Sequence, residues 1–499
     1  MTSIIGADGV TPNNFTFNNQ QTAALNDIDN WFKSVRGARF DRMSTAPIDA
    51  YLLQGYAGTG KTTLVKELLR RLGVPLSRIA LVAPTNRAAK VLANKTGMPT
   101  RTLFSLIYST QREELDYQRS RLRIWDEANN FSQLADLLIV NMAQDLEEEF
   151  ETEWLDATEA AGSSLALTKE EAKVRFMENR RETVLQVESI VLPDEPGARL
   201  ELFGSMKTER MKAHKKNIQE LLAEDLPIIK RDAAEISQKY DVIVCDESSM
   251  VTEQQGKDLC SYGVPVILVG DPFQLPPVKA KAYWDGRRPQ SQLTRIERQK
   301  GTGAGIPLVG QSLRLGEKVK ANDSVTIHPR NSLGDEAWKN ADQILVGTHK
   351  TRERLCAYVR KLRGFDGPMP NVGEKVVAVY NDKGIGIMNG ELYTVLESEL
   401  IRGDSLVQMT IQDPYGKVIS GIKAWTRGLA GRSATNYLDD EFGKFWWGYA
   451  ITCHQSQGSE WKHVVVADDW PRKSNEDEEY RRWLYTALTR ASQHVDWIR

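Results

Sequence analysis

The amino-acid sequence predicts an α/β protein built on mostly parallel sheet with helices on both faces. Three observations predict it. Short apolar, β-branched runs alternate with helical stretches, the pattern of strand–helix–strand units. A glycine-rich turn follows the first apolar run and opens a helix. Two long segments, Ser109 to Glu235 and Val372 to Lys444, break the alternation and read as insertions.

Taken in order, Gln20 to Arg36 reads as a helix, because Ala24, Leu25, Ile28, Trp31, Phe32 and Val35 recur near a 3.6-residue period. Ala50 to Gln54 is a short apolar strand, Gly55 to Thr62 a glycine-rich loop and Thr63 to Leu72 a helix. Ile79 to Val82, Asp241 to Cys245 and Val264 to Val269 are further buried strands. The pattern returns at Ile344 to Gly347 and Val464 to Ala467. Ser109 to Glu235 reads as helical and charged. Within it, Thr183 to Leu192 and Arg199 to Phe203 flank a turn at Asp194-Glu195-Pro196-Gly197, which predicts a β-hairpin. Val372 to Lys444 carries short β-runs at Lys375 to Val379, Leu392 to Leu396 and Leu406 to Ile411, and reads as a small barrel.

The chain has 499 residues, which suggests about three domains. Its 41% hydrophobic and 26% charged content excludes a disordered chain, a collagen and a small disulfide scaffold. No apolar run is long enough for a transmembrane helix, and Met1 to Val10 has no secretory pattern. Cys245, Cys260, Cys356 and Cys453 are scattered, so neither a disulfide frame nor a zinc cluster is expected and a reducing cytoplasm fits. Net charge is −2, but Ser109 to Glu235 carries 17 basic and 28 acidic residues, leaving +9 on the rest. An anionic polymer would avoid that segment and favour the remainder. Equally, its acidic run, Asp126 to Glu159, reads as a solvated helix face.

Gly55-Tyr56-Ala57-Gly58-Thr59-Gly60-Lys61-Thr62 fits G-x-x-x-x-G-K-[ST] between a strand and a helix, the setting of a phosphate-binding loop. Backbone N–H groups at Gly58, Thr59, Gly60, Lys61, Thr62 and Thr63 would cradle the phosphates of ATP at a helix N-terminus. Lys61 would reach the β- and γ-phosphates, and the Thr62 hydroxyl would ligate Mg²⁺. Val242 to Cys245 runs into Asp246 and Glu247. The first would hold Mg²⁺ and the second would orient or deprotonate the attacking water. Gln274, at the tip of the neighbouring strand, reads either as a contact to the γ-phosphate or its water, or as a loop residue capping a helix.

With these motifs in series, the chain resembles superfamily-1 helicases of the RecD-like, B-type branch, and within it the Dda-like helicases of T-even phages. Phe17-Asn18-Asn19-Gln20-Gln21 looks like the adenine-reading Gln motif, implicating Gln21. Ala83 to Ala89 looks like motif Ia and Thr100 to Leu106 like motif Ib. Asp246 to Met250 resembles motif II and Gly270 to Val278 motif III. Leu293 to Arg298 resembles the segment that supplies an arginine finger, by implication Arg298. Asn389-Gly390-Glu391, with the β-run before it, looks like the SH3-like insertion of the branch. Tyr449 to Glu460 matches motif V, whose Glu460 the resemblance places at the nucleotide, and Leu484 to Ala491 matches motif VI with its arginine at Arg490.

The resemblance implies two RecA-like domains, 1–108 with 236–300 and 301–371 with 445–499, a 1B insertion at 109–235 and an SH3-like 2B domain at 372–444. ATP would bind between the RecA-like domains with Arg298 and Arg490 facing it. Pro84, Thr85, Asn86, Thr102, Phe104, Thr348, Thr452 and His454 lie in motifs that line the DNA groove of relatives. Phe104 stands where many relatives carry His, and His454 reads equally as a core histidine. Trp446 and Trp447 read as core rather than as stacking faces. The segment Thr183 to Phe203 would be the strand-splitting pin. The acidic run would meet a replication or recombination protein, and Lys207 to Lys216 would meet duplex phosphates. The expectation is an ATP- and Mg²⁺-dependent DNA helicase moving 5′-to-3′ on single-stranded DNA toward ss/ds junctions, in phage replication or recombination. The alternatives are an RNA helicase, a motor subunit of a nuclease complex and an ATP-gated binding module.

Overall fold

The structure is a computed structural model that describes residues 17–42, 49–110, 112–138, 150, 154, 168–176, 195–223, 228–297, 303–382, 385–402, 405–431, 442–470 and 477–499. Two all-parallel sheets carry the chain. The first lobe has the strand order β3-β2-β6-β7-β1-β8. Its strands are β1 (Tyr51–Gly55), β2 (Ile79–Ala83), β3 (Arg101–Thr102), β6 (Val242–Cys245), β7 (Val266–Gly270) and β8 (Ser291–Leu293). β1, β2, β6 and β7 are buried at every position, because helices and loops cover both faces. On one face α1 (Asn19–Arg42) and α2 (Lys61–Arg71) pack Leu25, Ile28, Leu64, Val65 and Leu68 onto Leu53, Leu81, Val244 and Ile267. Each such side chain contributes roughly 1.5–3 kcal/mol by leaving water.

The second lobe has the order β16-β10-β17-β18-β9, again all parallel. Its strands are β9 (Val325–His328), β10 (Gln343–Val346), β16 (Ala450–Thr452), β17 (Trp461–Ala467) and β18 (Ala491–Ile498). Between β10 and β16 the chain makes a five-stranded antiparallel sheet, β14-β13-β12-β11-β15, of β11 (Lys375–Ala378), β12 (Leu392–Arg402), β13 (Leu406–Gln412), β14 (Val418–Trp425) and β15 (Phe445–Trp447). A bridge between Ala424 and Gly443 joins its two edges. Phe445, Trp446 and Trp447 are thus buried strand residues, as their surroundings in sequence suggested, and the β-rich unit runs past Lys444.

The insertion in the first lobe differs from expectation. Its ends pair as a two-stranded antiparallel ribbon, β4 (Tyr108–Thr110) with β5 (Ile228–Lys230). Arg199 to Phe203, expected as the second strand of a hairpin, lies inside one long helix, Pro196–Ala223. Pro196 opens that helix, where its missing N–H costs nothing. Phe203 then turns onto Trp125 and Phe131, with ring centroids at 6.0 and 5.3 Å. Tertiary burial of one aromatic outweighs the local turn signal. Thr183 to Leu192, the other half of that hairpin, and most of Asp126 to Glu159 lie outside the described residues. The helix Arg112–Glu127 packs beside Pro196–Ala223, and the Lys207 ammonium donates to the Asp126 and Ala128 carbonyls at 2.8 Å each. Lys207 therefore closes a helix end. No described helix is long and apolar enough to cross a membrane.

Candidate nucleotide cleft and nucleic-acid face

The loop after β1 turns through Gly58 and Gly60, both at φ near +80°, a conformation glycine adopts freely. Gly60 caps α2, so the first free N–H groups of that helix face the loop. The Lys61 ammonium donates to the Tyr56 carbonyl at 3.1 Å, and the Thr59 hydroxyl to the same carbonyl at 2.8 Å. The Thr62 hydroxyl lies 3.4 Å from Asp246 Oδ2, although their strands are separated by β7. Burial, reinforced by the neighbouring Glu247, pushes the Asp246 carboxyl up to about 6. Two hard oxygen donors 3.4 Å apart at the helix end of the phosphate loop, one a buried carboxylate, suit Mg²⁺. Glu247 itself has φ 51°, a left-handed conformation that costs a non-glycine residue roughly 1–2 kcal/mol. Such strain commonly marks a side chain aimed for function.

Gln21 is almost wholly buried. Its Oε1 accepts from the Asn18 N–H at 3.0 Å and its Nε2 donates to the Thr59 carbonyl at 3.0 Å, so here it ties α1 to the phosphate loop. Arg298 lies outside the described residues. Its neighbour Glu297 donates its N–H to the Gly58 carbonyl at 2.9 Å.

The second lobe reaches this loop through the helix Glu478–Leu488, which buries its apolar face on the lobe-2 sheet. The Tyr485 hydroxyl donates to Asp271 Oδ2 at 2.5 Å and accepts the Ala57 N–H of the phosphate loop at 2.9 Å. Asp271 is fully buried. Burial pushes its carboxyl up, opposed by Lys61 and by the Tyr485 hydrogen bond. One residue further, the Thr486 hydroxyl accepts the Leu275 N–H at 2.9 Å, and Gln457 Nε2 donates to the Leu275 carbonyl at 3.0 Å. Gln274 sits inside this seam, 2% exposed, and its buried Oε1 has no hydrogen-bond partner among the described residues. Arg490 is also buried, with Nε on the Thr486 carbonyl at 3.1 Å and Nη1 on the Ser459 carbonyl at 3.4 Å. Thr63 lies in the first turn of α2, and Glu460 is exposed just before β17.

Three of the residues expected at nucleic acid share one structural role. Thr85, Thr102 and Thr348 each cap a helix that leaves the carboxyl end of a parallel strand, accepting the N–H of Ala88, Ser105 and Thr351 respectively. Such helix starts present N–H groups that favour phosphate. Thr102 extends the strand paired with Ala83, and Thr452 pairs with Val346 just before Thr348, so each lobe places two of these threonines side by side. Thr348 is held by Asp469, which accepts its hydroxyl at 2.6 Å, whereas Thr452 donates to Gln455 Oε1 at 3.1 Å. Asn86 donates to Asn381 on the antiparallel unit at 3.1 Å, and Pro84 links β2 to the Thr85 cap. Phe104 is 39% exposed and packs on Tyr108. His454 faces Trp470, and burial holds its pKa below the usual value.

Residues that the sequence reading passed over hold the lobes together. Tyr485, Asp271, Gln457 and Thr486 form the nucleotide-side seam. On the other side, Lys90 bridges Glu391 and Asp413 at 2.7 and 2.5 Å, and Arg87 donates to the Gln455 carbonyl at 3.2 Å. Tyr485 lies five residues before Arg490 and Asp271 follows β7 directly. The signal that could have found them was adjacency to residues already singled out.

Two family models match the chain: an AAA domain over residues 40–149 and 203–328, and a UvrD-like helicase C-terminal domain over residues 448–495. The ATP-dependent RecD2 DNA helicase of Deinococcus radiodurans is 26% identical over 278 residues, spanning 50% of this chain and 35% of that protein. The chain therefore matches about a third of its relative's length. Among solved structures, Pif1 helicase from Candida albicans is similar with a TM-score of 0.47 and 15% identity, covering 97% of this chain and 94% of that one. Bacteroides Pif1 bound to ssDNA is similar with a TM-score of 0.46 and 16% identity, covering 97% and 92%.

Proposed function

We propose that the chain is an ATP-dependent DNA helicase of the superfamily-1 B type that hydrolyses ATP between its two lobes to move along single-stranded DNA. The observation that carries this reading is the seam at the phosphate loop. Thr62 and Asp246 meet at 3.4 Å, and Tyr485 of the other lobe touches both the loop and Asp271. A nucleotide at that loop therefore sits where lobe–lobe contacts begin. The match to the RecD2 DNA helicase and to a UvrD-like helicase C-terminal domain supports the same reading.

In this proposal the amides of Gly58 to Thr63 and the Lys61 ammonium hold the phosphates. Thr62 and Asp246 hold Mg²⁺, which neutralises phosphate charge when bound. Glu247 takes a proton from the attacking water as its oxygen bonds to the γ-phosphorus and the bond to the β-γ bridging oxygen breaks, leaving ADP and phosphate. Gln274, with its unpartnered Oε1, accepts a hydrogen bond from that water. Arg490 and Arg298 stabilise the charge that spreads over the transferred group, a contribution of about 10³–10⁵ in rate for a well-placed arginine. Gln21 and Glu460 border the nucleotide. Loss of the γ-phosphate loosens the seam, and the two lobes then hold the strand in alternation.

The strand would lie across Pro84, Thr85, Asn86, Thr102 and Phe104 of one lobe and Thr348, Thr452 and His454 of the other. Backbone contacts at helix starts give a grip without a base code. The polarity we propose is 5′-to-3′, resting on the resemblance to the RecD-like branch, with a role in phage replication or recombination that rests on the resemblance to the Dda-like helicases. Strand displacement on duplexes with a 5′ or a 3′ tail, with and without ATP, tests the proposal. Unwinding from the 5′ tail alone supports it, and no ATP-dependent displacement from either tail overturns it. Stimulation of ATPase by RNA but not DNA would assign the RNA reading instead.

A further inference from the structure

Three of the six histidines of the chain gather on one face of the lobe-2 sheet, on β9, β18 and β17. His463 and His494 stand opposite each other on adjacent parallel strands. Asp496 lies two residues beyond His494 and so projects from the same face. His328 lies two residues beyond Thr326, which stands opposite Asp496. The other face of these strands is apolar, with Val325, Val464 and Val495 in the core.

All three imidazoles turn Nε2 toward one carboxylate. His463 Nε2 is 2.8 Å from Asp496 Oδ2, His328 Nε2 is 2.7 Å from Oδ1, and His494 Nε2 is 3.5 Å from Oδ1. One ligand atom each from His463, His494 and Asp496 all lie within 4.8 Å of one another. Burial raises the Asp496 carboxyl, but the hydrogen bonds from His463 and His328 outweigh it and hold it at about 2. None of these residues belongs to the nucleotide cleft or to the nucleic-acid face.

We propose that His463, His494 and Asp496 form a binding site for a zinc-class divalent ion, with His328 positioning the carboxylate. Two imidazoles and one carboxylate are a three-residue ligand set typical of Zn²⁺, whose fourth position is filled by water. Metal–ligand distances of about 2.0–2.2 Å require ligand atoms roughly 3.3–3.6 Å apart in a tetrahedron. The 3.5 Å contact of His494 is to Oδ1 and the 2.8 Å contact of His463 is to Oδ2, so one carboxylate oxygen serves both imidazoles after a side-chain adjustment that these partly exposed rings can make. His328 then remains hydrogen-bonded to Oδ1, the outer-shell carboxylate contact that fixes ligand orientation. Binding converts each ligating Nε2 from proton donor to lone-pair donor, so protons leave as the ion enters. A bound ion would staple β17 to β18. Mg²⁺ prefers an all-oxygen octahedron and does not suit this site.

The test uses the full-length protein, stripped of metal and free of nucleotide. Zn²⁺ is titrated against a chromophoric chelator, Co²⁺ serves as a spectroscopic probe, and Mg²⁺ is the competitor. We expect one Zn²⁺ per chain, an intense tetrahedral Co²⁺ absorption, a zinc-dependent rise in unfolding temperature and no competition from Mg²⁺. His494→Ala is the decisive variant. Its contacts to Asp496 and Thr326 are both 3.5 Å, so its loss removes a ligand at little cost to folding. Zinc affinity should fall about tenfold or more in His494→Ala and in His463→Ala, and stay unchanged in Lys61→Ala. Unaltered zinc affinity in His494→Ala, or an octahedral Co²⁺ spectrum in the parent protein, overturns the proposal. Loss of ATPase in Lys61→Ala with zinc binding intact separates this site from the nucleotide reading.

Discussion

Replacing Tyr485 by Phe removes one oxygen from the seam between the lobes and leaves the ring in place. The ring keeps its edge contact with Phe273, at a 5.2 Å centroid distance. Two hydrogen bonds vanish: the 2.5 Å bond to Asp271 and the 2.9 Å bond from the Ala57 N–H. A hydrogen bond to a charged group contributes about 1.5–3 kcal/mol and a neutral one about 0.5–1.5 kcal/mol. Together they bring the closed arrangement down by roughly 2–4 kcal/mol, a factor of about 30 or more in the closure equilibrium. The Leu275–Thr486 and Gln457–Leu275 bonds persist, so the lobes still fold and dock. The assay is steady-state ATPase with single-stranded DNA. The kcat/KM for ATP should fall about 30-fold, with the unfolding midpoint of the protein little changed. Asp271, already pushed up by burial, loses a stabilising donor, so the acid limb of activity should also move to higher pH. A kcat/KM within threefold of the parent, with an unmoved acid limb, would refute the claim that Tyr485 couples the lobes.

Lys61→Ala should abolish ATP turnover, measured as phosphate release. Glu247→Gln should retain ATP binding and lose hydrolysis by about 10²-fold or more, since a positioned base contributes about 10²–10⁴; normal turnover would remove Glu247 from the chemistry. Gly458 has φ +81°, and a Cβ there would come within 2.9 Å of the Ala88 Cα in the facing lobe. Gly458→Ala should weaken single-strand affinity and DNA-stimulated ATPase together, which filter binding and turnover would show. Glu374 is fully buried and receives a bidentate Arg360 (2.8 and 3.0 Å), the Asn371 N–H and the Tyr449 hydroxyl. Burial raises its pKa, but these partners outweigh it and lower the carboxyl below its ordinary value. Its stabilisation is therefore present above the unfolded value near 4.5 and is lost as pH falls through the lower folded value. Glu374→Gln should cost about 3–5 kcal/mol at neutral pH by leaving Arg360 unpaired, and denaturant melts should show that difference shrinking in acid below 4.5.

Much of the architecture is legible in one dimension because its signals are local. A buried parallel strand must be an apolar run, so Ile79 to Val82 and Asp241 to Cys245 stand out, and the observed strands, Ile79–Ala83 and Val242–Cys245, differ from them by a residue at one end. The phosphate loop is legible for the same reason: glycine conformations, a lysine and a helix start must be contiguous. The second half of the expected hairpin failed because its competitor was distant. Phe203 prefers a helix when Trp125 and Phe131 are there to receive it, and a turn motif cannot report that.

The candidate site divides along the same line. Lys61, Thr62, Asp246 and Glu247 stand out as candidates from their neighbours in the chain. The Tyr485–Asp271 contact spans 214 residues, and the His328–Asp496 contact spans 168. Residue types and local periodicity therefore settle which strands, helices and phosphate loop exist. Which side chains meet across two sheets is settled by how the lobes and strand registers pack, because a hydrogen bond between distant residues leaves no periodic trace along the chain.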